Sequence, residues 1–542
     1  MSTHEGKLST VLSFHFLSDE TSMSNTNSIQ MLKFDELKID LDDRVFNHLH
    51  SEYRGEGNEN LVLSLPEIRF VLRLRKSHTN DDINLSWEKE KLKTSLLYYN
   101  IVLLPFLSDR YLTLPIIAEI SETYVKYLDE KLFHERPGHR RVKKIGFNGI
   151  EIHPDYTFLS QYGHYQRLEN RPLLGQAVES DSLKKLFSRD YLDFRNYVYS
   201  LLTIPAFVSD CNRTREHLNR TTFSVEIKPK QAWTAEPYRK FDVCAFCMHQ
   251  YFKLHEHKIE SKSRYCPLDL FSGIDERMEN ALKGLLLTPQ NNLKIFKNGE
   301  MVFGESKADN IEHILAEWFS KSRSDGDMNW CQNHFCKLLT TILKTDFIPD
   351  QKLASFETEL YSGSDKRQIC SNEEIEQIKK AFHDSNLKCD YNSIDLPQNC
   401  ILNRVKELQK LDKVGLEAVF DFYEAHMKKT CSELSHINDV ISKANKPQFS
   451  NVTMPILNVV EAYTISTAAK DLSIMIAVQH ISENSGSSSG FVVDVDEFKY
   501  DVNISLVDVG PKPTSCVSKH WKRDKKMLAS CLNYFYPNLN VQ

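Results

Sequence analysis

The chain has 542 residues, with 68 lysines and arginines against 74 acidic residues and a formal charge of −6. That balance excludes a general electrostatic pull toward nucleic acid or acidic membrane, so any anion must be drawn by a local cluster of cations. The length allows two or more domains or lobes, and 41% apolar residues is enough to fill their cores.

The twelve cysteines are scattered through the chain and make no disulfide scaffold. Residues 1–30 are Ser/Thr-rich without the apolar core of a secretory signal, and no apolar run is long enough to span a bilayer. The expectation is an intracellular protein with reduced thiols.

In chain order, residues 1–45 read as an extension. From Tyr53 to Lys76, two apolar runs joined at Pro66-Glu67 predict a β-hairpin. Gly55-Glu56-Gly57 precedes it; paired glycines let backbone N–H groups close on a phosphate, although a simple turn fits the same residues. On the second strand Arg69, Val71, Arg73 and Arg75 share a face, so a glycine turn lies beside a cation, as in a kinase small lobe. An exposed basic strand face reads the same way. Residues 92–133 are helical in pattern with breaks at Pro105 and Pro115, ending in HERPGHRR, where Arg136, Arg140 and Arg141 gather charge. Short strands follow over 145–165, and 166–222 reads as a polar surface insertion.

The stretch Val225–His257 carries the densest chemistry. In an extended VEIKPK, Glu226, Lys228 and Lys230 share one face, and Pro229 suits a strand end. Further on, CMHQYFKL is helical in pattern with His249 and Lys253 one turn apart. These residues make an anion site or a solvated face. Beyond them come the helix DERMENALKGLLL, then Asn291, Asn292 and the strand around Lys294, with Asn298-Gly299 as a hairpin turn. Residues 305–400 read as a charged, irregular insert containing helices. Two amphipathic helices follow from Ile401, and 430–455 reads as loop. Apolar strands over 468–478 and 503–513 flank the Gly/Ser-rich link 483–490 and carry Asp471 and Asp508 at their ends. Two carboxylates near cations suit phosphoryl transfer; an Asp at a strand end also suits a plain turn.

Several of these segments, in this order, resemble the inositol-pentakisphosphate 2-kinases: RGEGNENLVLS, VLRLRK, ERP, VEIKPK, VCAFCMHQYFKL, YCPLDLFSG, QNNLKIFKNGE, TAAKDLSIMI and DVGPKP. The wording CxxCMHQY is similar to the animal members, and the likeness runs from about residue 50 to 535. It implies a two-lobed α/β (α+β) kinase fold, distantly related to protein kinases and inositol polyphosphate kinases. The lobes would be a β-rich N-lobe over 46–222 and a mixed C-lobe over 223–542. The implied reaction moves the γ-phosphate of ATP to the axial 2-hydroxyl of inositol 1,3,4,5,6-pentakisphosphate, with Mg2+. By the same likeness Gly55, Glu56, Gly57 and Arg73 serve ATP and Glu226 the nucleoside. Arg136, Lys228, Lys230, His249, Lys253, Asn291, Lys294 and Lys512 hold phosphates, Lys228 being also placed with the catalytic group. Asp471 takes the hydroxyl proton and Asp508 binds the metal.

The chain departs from the family wording after Asp508. Gly510 stands for a second Asp, Pro511 for an apolar residue, and Cys516 and His520 for an Arg and a Tyr of some members. A non-catalytic inositol-phosphate-binding scaffold is the alternative function; it has no need of both Asp471 and Asp508. Some relatives hold a structural zinc on a segment with no match here, and Cys244-x-x-Cys247 lacks a second pair at metal spacing, so it reads as packing cysteines. The resemblance implies nucleus and cytoplasm; the charge balance and the lack of a spanning run imply no nucleic acid or membrane partner, and a monomer is the expectation.

Overall fold

Seven consecutive residues of Ser473–His480 are buried, the pattern of a strand covered on both faces. In the computed structural model this strand is an inner strand of a seven-stranded sheet. The structure describes residues 32–43, 49–78, 85–159, 179–203, 220–236, 239–305, 307–308, 310–320, 322, 327–361, 367–428, 432–445, 455–481 and 491–537. The expected extension before residue 32 and the Gly/Ser link 483–490 lie outside them.

Strands β1 (Ile39–Asp40), β2 (Glu52–Glu56), β3 (Asn60–Leu65), β4 (Phe70–His78), β5 (Ile116–Glu119) and β6 (Lys143–Pro154) form one sheet in the order β1-β5-β6-β4-β3-β2. The predicted hairpin is β3–β4, paired antiparallel from Leu65↔Phe70 to Asn60↔Arg75. The second sheet contains β7 (Phe223–Ile227), β8 (Leu293–Lys297), β9 (Glu300–Gly304) and β10 (Lys307–Ala308). After the short parallel pair β11 (Glu357–Thr358) and β12 (Ile456–Leu457), it adds β13 (Ser473–His480), β14 (Val492–Val495) and β15 (Phe498–Val507). Its order is β10-β9-β8-β7-β13-β15-β14, antiparallel throughout. Asn298 and Gly299 make the β8–β9 turn with φ of 49° and 92°, as a type I′ turn requires. The guanidinium of Arg54 on β2 donates to the Gly299 carbonyl, tying the two sheets together.

Several segments expected at the surface supply core. The helix Arg189–Thr203, inside the region read as a surface insertion, buries Leu192, Phe194, Val198 and Leu201. Within the expected insert, Met328–Lys344 buries Phe335, Leu338, Leu339 and Ile342. Residues read as loop form the helix Glu433–Ala444. A second apolar cluster joins the helices Ala245–His255 and Cys516–Phe535 through Met248, Tyr251, Phe252, Met527, Cys531 and Leu532. That cluster fixes how the two helices flank the strand ends described next. None of the described helices is long and apolar enough to cross a membrane.

Candidate active site

Register gathers the candidate residues at one edge of the second sheet. Ile227 pairs with both Leu293 and Ile474, and Ser473 pairs with Val507, so four strands end at the same level. Lys228, Asn292, Asp471 and Asp508 each lie one or two residues beyond those pairs. The Lys228 amide donates to the Asn292 carbonyl at 2.9 Å, which closes the edge. The strand alternation expected for Glu226, Lys228 and Lys230 ends at Ile227. Lys230 reaches the site through a left-handed turn, φ 60°, and Asp508 adopts φ 62°. Non-glycine residues held in that region carry local strain, a feature concentrated at functional sites.

Asp471 lies between two lysines: Lys230 Nζ is 3.4 Å from Oδ1 and Lys512 Nζ 3.4 Å from Oδ2. Partial burial pushes the carboxyl up, but Lys230, Lys512 and Lys228 outweigh it and hold the group below its ordinary value. Asp471 therefore stays ionised while its side chain remains 58% exposed. Asp508 stands beside it with Lys228 Nζ at 4.0 Å and Arg73 Nη2 at 3.8 Å. Arg73 comes from β4, so the two sheets meet at this carboxylate. A cavity of about 450 Å³ opens in front of Asp471, with Lys230, His249, Lys253, Asn291 and Lys512 in its wall. Burial, then Arg523, Lys253 and Lys230, draw His249 down to about 4. The residue expected as a protonatable phosphate ligand is thus a neutral imidazole until an anion approaches it.

Other candidates are placed differently from the expectation. Arg136 is buried and does not line the cavity. Its Nε and Nη2 donate to the two oxygens of Glu56 at 3.0 Å each, and Nη2 also donates to the carbonyls of Arg140 and Lys143. Lys76 pairs with the same Glu56. Burial raises the Glu56 carboxyl, yet Arg136 and Lys76 overcome this and hold it low. The side chains of Glu56 and Arg136 therefore fasten the turn after β2. In this arrangement Arg136 is spent on Glu56, and the turn is closed further by the Gly57 amide, which donates to the Asn60 carbonyl at 2.9 Å. Glu226, expected at the nucleoside, is likewise engaged: it accepts from Lys294 Nζ at 2.8 Å and from Ser473 Oγ at 2.8 Å. Lys294, expected at phosphate, is its partner.

Sequence reading missed a second constellation. The Sγ atoms of Cys244, Cys247, Cys266 and Cys389 all lie within 4.8 Å of one another, with Cys244 to Cys266 at 3.9 Å and Cys266 to Cys389 at 4.0 Å. These thiols are free, so no disulfide accounts for their approach. The reading of Cys244 and Cys247 as packing cysteines is corrected: the missing pair arrives from 22 and 145 residues downstream of Cys244. Four sulfurs on a tetrahedron of radius about 2.3 Å would stand about 3.8 Å apart, close to the separations seen. Cys244 also caps the helix that carries His249 and Lys253, its Sγ accepting from the Cys247 amide. Arg523 and Asp524, on the helix Cys516–Phe535, complete the cavity wall and were equally missed. The spacing of Cys516, His520 and Arg523 by four and three residues was the available signal.

The model of the inositol-pentakisphosphate 2-kinase family matches residues 53–526. Among curated relatives, the inositol-pentakisphosphate 2-kinase of Danio rerio is 26% identical over 528 residues, covering 89% of this chain and 92% of the relative. That of Arabidopsis thaliana is 24% identical over 520 residues, covering 88% and 92%. A Drosophila melanogaster protein of the same name is 26% identical over 314 residues, covering 47% of this chain. With the family match spanning nearly the whole chain, and Asp471, Asp508 and their lysines assembled at one sheet edge, the chain belongs to the inositol-pentakisphosphate 2-kinase family.

Proposed function

We propose that this chain transfers the γ-phosphoryl group of ATP to the 2-hydroxyl of inositol 1,3,4,5,6-pentakisphosphate, giving inositol hexakisphosphate. The observation that carries the reading is an ionised Asp471 held between Lys230 and Lys512, 3.4 Å from each, at a cation-lined cavity. Asp471 accepts the proton of the attacking hydroxyl, whose oxygen bonds to the γ-phosphorus as the bond to the ADP oxygen breaks. Lys228, Lys230, His249, Lys253, Asn291 and Lys512 bind and orient the phosphates, so that one hydroxyl is presented for transfer. The turn after β2 and Arg73 serve the ATP phosphates, in a two-lobed kinase arrangement whose lobes carry the two sheets. Mg2+ supplies charge neutralisation at the phosphate oxygens when bound. Asp508, reached by Arg73 and Lys228, is the carboxylate suited to hold it, while Gly510 offers none.

The space beside Gly510 is tight. A Cβ there would lie 3.3 Å from the hydroxyl of Tyr99, which is itself buried in the π-helical turn Tyr99–Leu103. Zinc is the metal that fits the four thiols, and its place is structural, at the start of the helix that presents His249 and Lys253. Metal analysis of purified protein should find about one zinc per chain, lost in Cys389→Ser; metal-free wild type would remove that assignment. The family resemblance also supports work in nucleus and cytoplasm.

Transfer of labelled phosphate from ATP to inositol pentakisphosphate tests the main reading. Wild type should transfer, and Asp471→Asn should lose about 10²–10⁴-fold in kcat, the usual contribution of a positioned base. Binding of the pentakisphosphate without transfer above that variant would favour the non-catalytic scaffold instead.

A further inference from the structure

The helix Cys516–Phe535 closes the far side of the cavity, and its charge there is unequal along the wall. Cys516, His520 and Arg523 face the cavity from successive turns, followed by the apolar Met527 and Leu528. Burial pushes the Cys516 thiol up, so it carries no charge. His520 is drawn down to about 3, by burial first and then by Arg523, Lys470 and Lys512. Its Nδ1 lies 2.8 Å from the Tyr463 hydroxyl, which holds the ring in place. Of the two remaining polar groups on this wall, Asp524 is an acid and Arg523 a cation, and a guanidinium keeps its charge at any working pH. The lysines at 519, 522, 525 and 526 do not line the cavity, and Lys526 is paired with Glu256 at 2.9 Å.

Arg523 is also held in a particular way. Its Nε and Nη2 both engage Asp524 Oδ1 at 2.8 Å, while Nη1 has no partner among the described residues. Asp524 thus grips one edge of the fork and leaves the other turned outward. The Arg523 side chain is 47% exposed against 17% for Asp524, an anchored base with a free tip. On the same wall, Arg523 acts on both His249 and Asp471, so its charge is felt where the acceptor would sit. Such a group suits a phosphate ester, which can take two parallel N–H donors.

Resting on the transferase reading above, we infer that Arg523, oriented by Asp524, is a phosphate-binding residue for the acceptor. It supplies from the third turn-face position of its helix the cation that Cys516 and His520 do not.

The test measures KM for inositol pentakisphosphate and for ATP, together with calorimetric affinity for inositol hexakisphosphate, in wild type, Arg523→Ala, Arg523→Lys and Lys522→Ala. Arg523→Ala should raise the acceptor KM and weaken hexakisphosphate binding by about tenfold to a hundredfold, the range of one charge-assisted hydrogen bond. KM for ATP should stay within twofold, Arg523→Lys should recover part of the loss, and Lys522→Ala should match wild type. Thermal melting of each variant separates a binding loss from a folding loss; should Arg523→Ala fail to fold, Arg523→Lys must still weaken the acceptor against ATP. An acceptor KM and hexakisphosphate affinity within twofold of wild type in folded Arg523→Ala would overturn the placement while leaving the kinase reading intact. Equal losses for ATP and acceptor would overturn it too, as the mark of a purely structural role. If wild type binds hexakisphosphate but transfers nothing, the kinase reading fails, and the affinity comparison alone decides for or against Arg523.

Discussion

Arg136 separates what the motif implies from what the fold does with it. Its side chain and those of Glu56 and Lys76 are each 1% exposed, so this is a buried charge cluster and not a surface bridge. Removing one member of a buried pair costs about 3–5 kcal/mol, because the partner is left charged and undersolvated. Here Glu56 keeps Lys76, which argues for the lower end of that range. Two backbone carbonyls, of Arg140 and Lys143, lose their donor as well and oppose that relief. Arg136→Ala should therefore lose about 3 kcal/mol in equilibrium urea unfolding. Arg136→Lys should fall between, since an ammonium retains the charge but cannot reproduce the two-pronged contact. Acceptor KM, measured on the folded fraction, should change far less than stability. A variant within about 0.5 kcal/mol of wild type whose acceptor KM rises tenfold would refute the argument. It would return Arg136 to the phosphate role that the sequence implied.

Chelation of the proposed zinc should lower the melting temperature and raise acceptor KM together, because the thiol cluster anchors the helix bearing His249 and Lys253; an unchanged KM in stripped, folded protein would disconnect the two. Stability should also fall as pH drops from about 6.5 toward 4. His436 is drawn to about 4 by burial and then by Lys443, so the unfolded chain takes up the proton first across that window. Its share of the loss reaches about 2 kcal/mol by pH 5, beside comparable shares from His249 and His520, so His436→Gln should reduce the slope of the pH profile of thermal melting by about a third; an equal slope in both proteins would exclude this residue as a source. Finally, Gly510→Asp should lower the melting temperature through the Tyr99 hydroxyl, and adding Tyr99→Phe should restore part of it; equal melting of both variants would show that the contact is not the obstacle.

The parts of the site that were legible in sequence are those whose chemistry is local to a strand end. Lys228, Asp471 and Asp508 fall within two residues of apolar strands, and antiparallel register alone brings them to one level. What the sequence concealed depends on distance along the chain or on the direction of a side chain. The helix Val459–Ala469, which delivers Asp471, buries all 11 of its residues, so it has no polar face from which to read a helical period. The thiol cluster draws on three separate segments, and Cys389 comes from a stretch whose charge made it read as an insert. Arg136 and Glu56 carry the same letters whether they face a phosphate or each other; only the packing of β2 against the turn after Glu122–Leu132 decides, and it turns them inward. The same reasoning explains why substituted family positions do not by themselves announce a lost function. A cation needed at a cavity wall is defined by where its charge arrives, and a helix offers the same wall again after three or four residues. On Cys516–Phe535 that position is Arg523, and the half-buried carboxylate of Asp524 beside it gives the guanidinium a fixed direction that a lone surface arginine lacks.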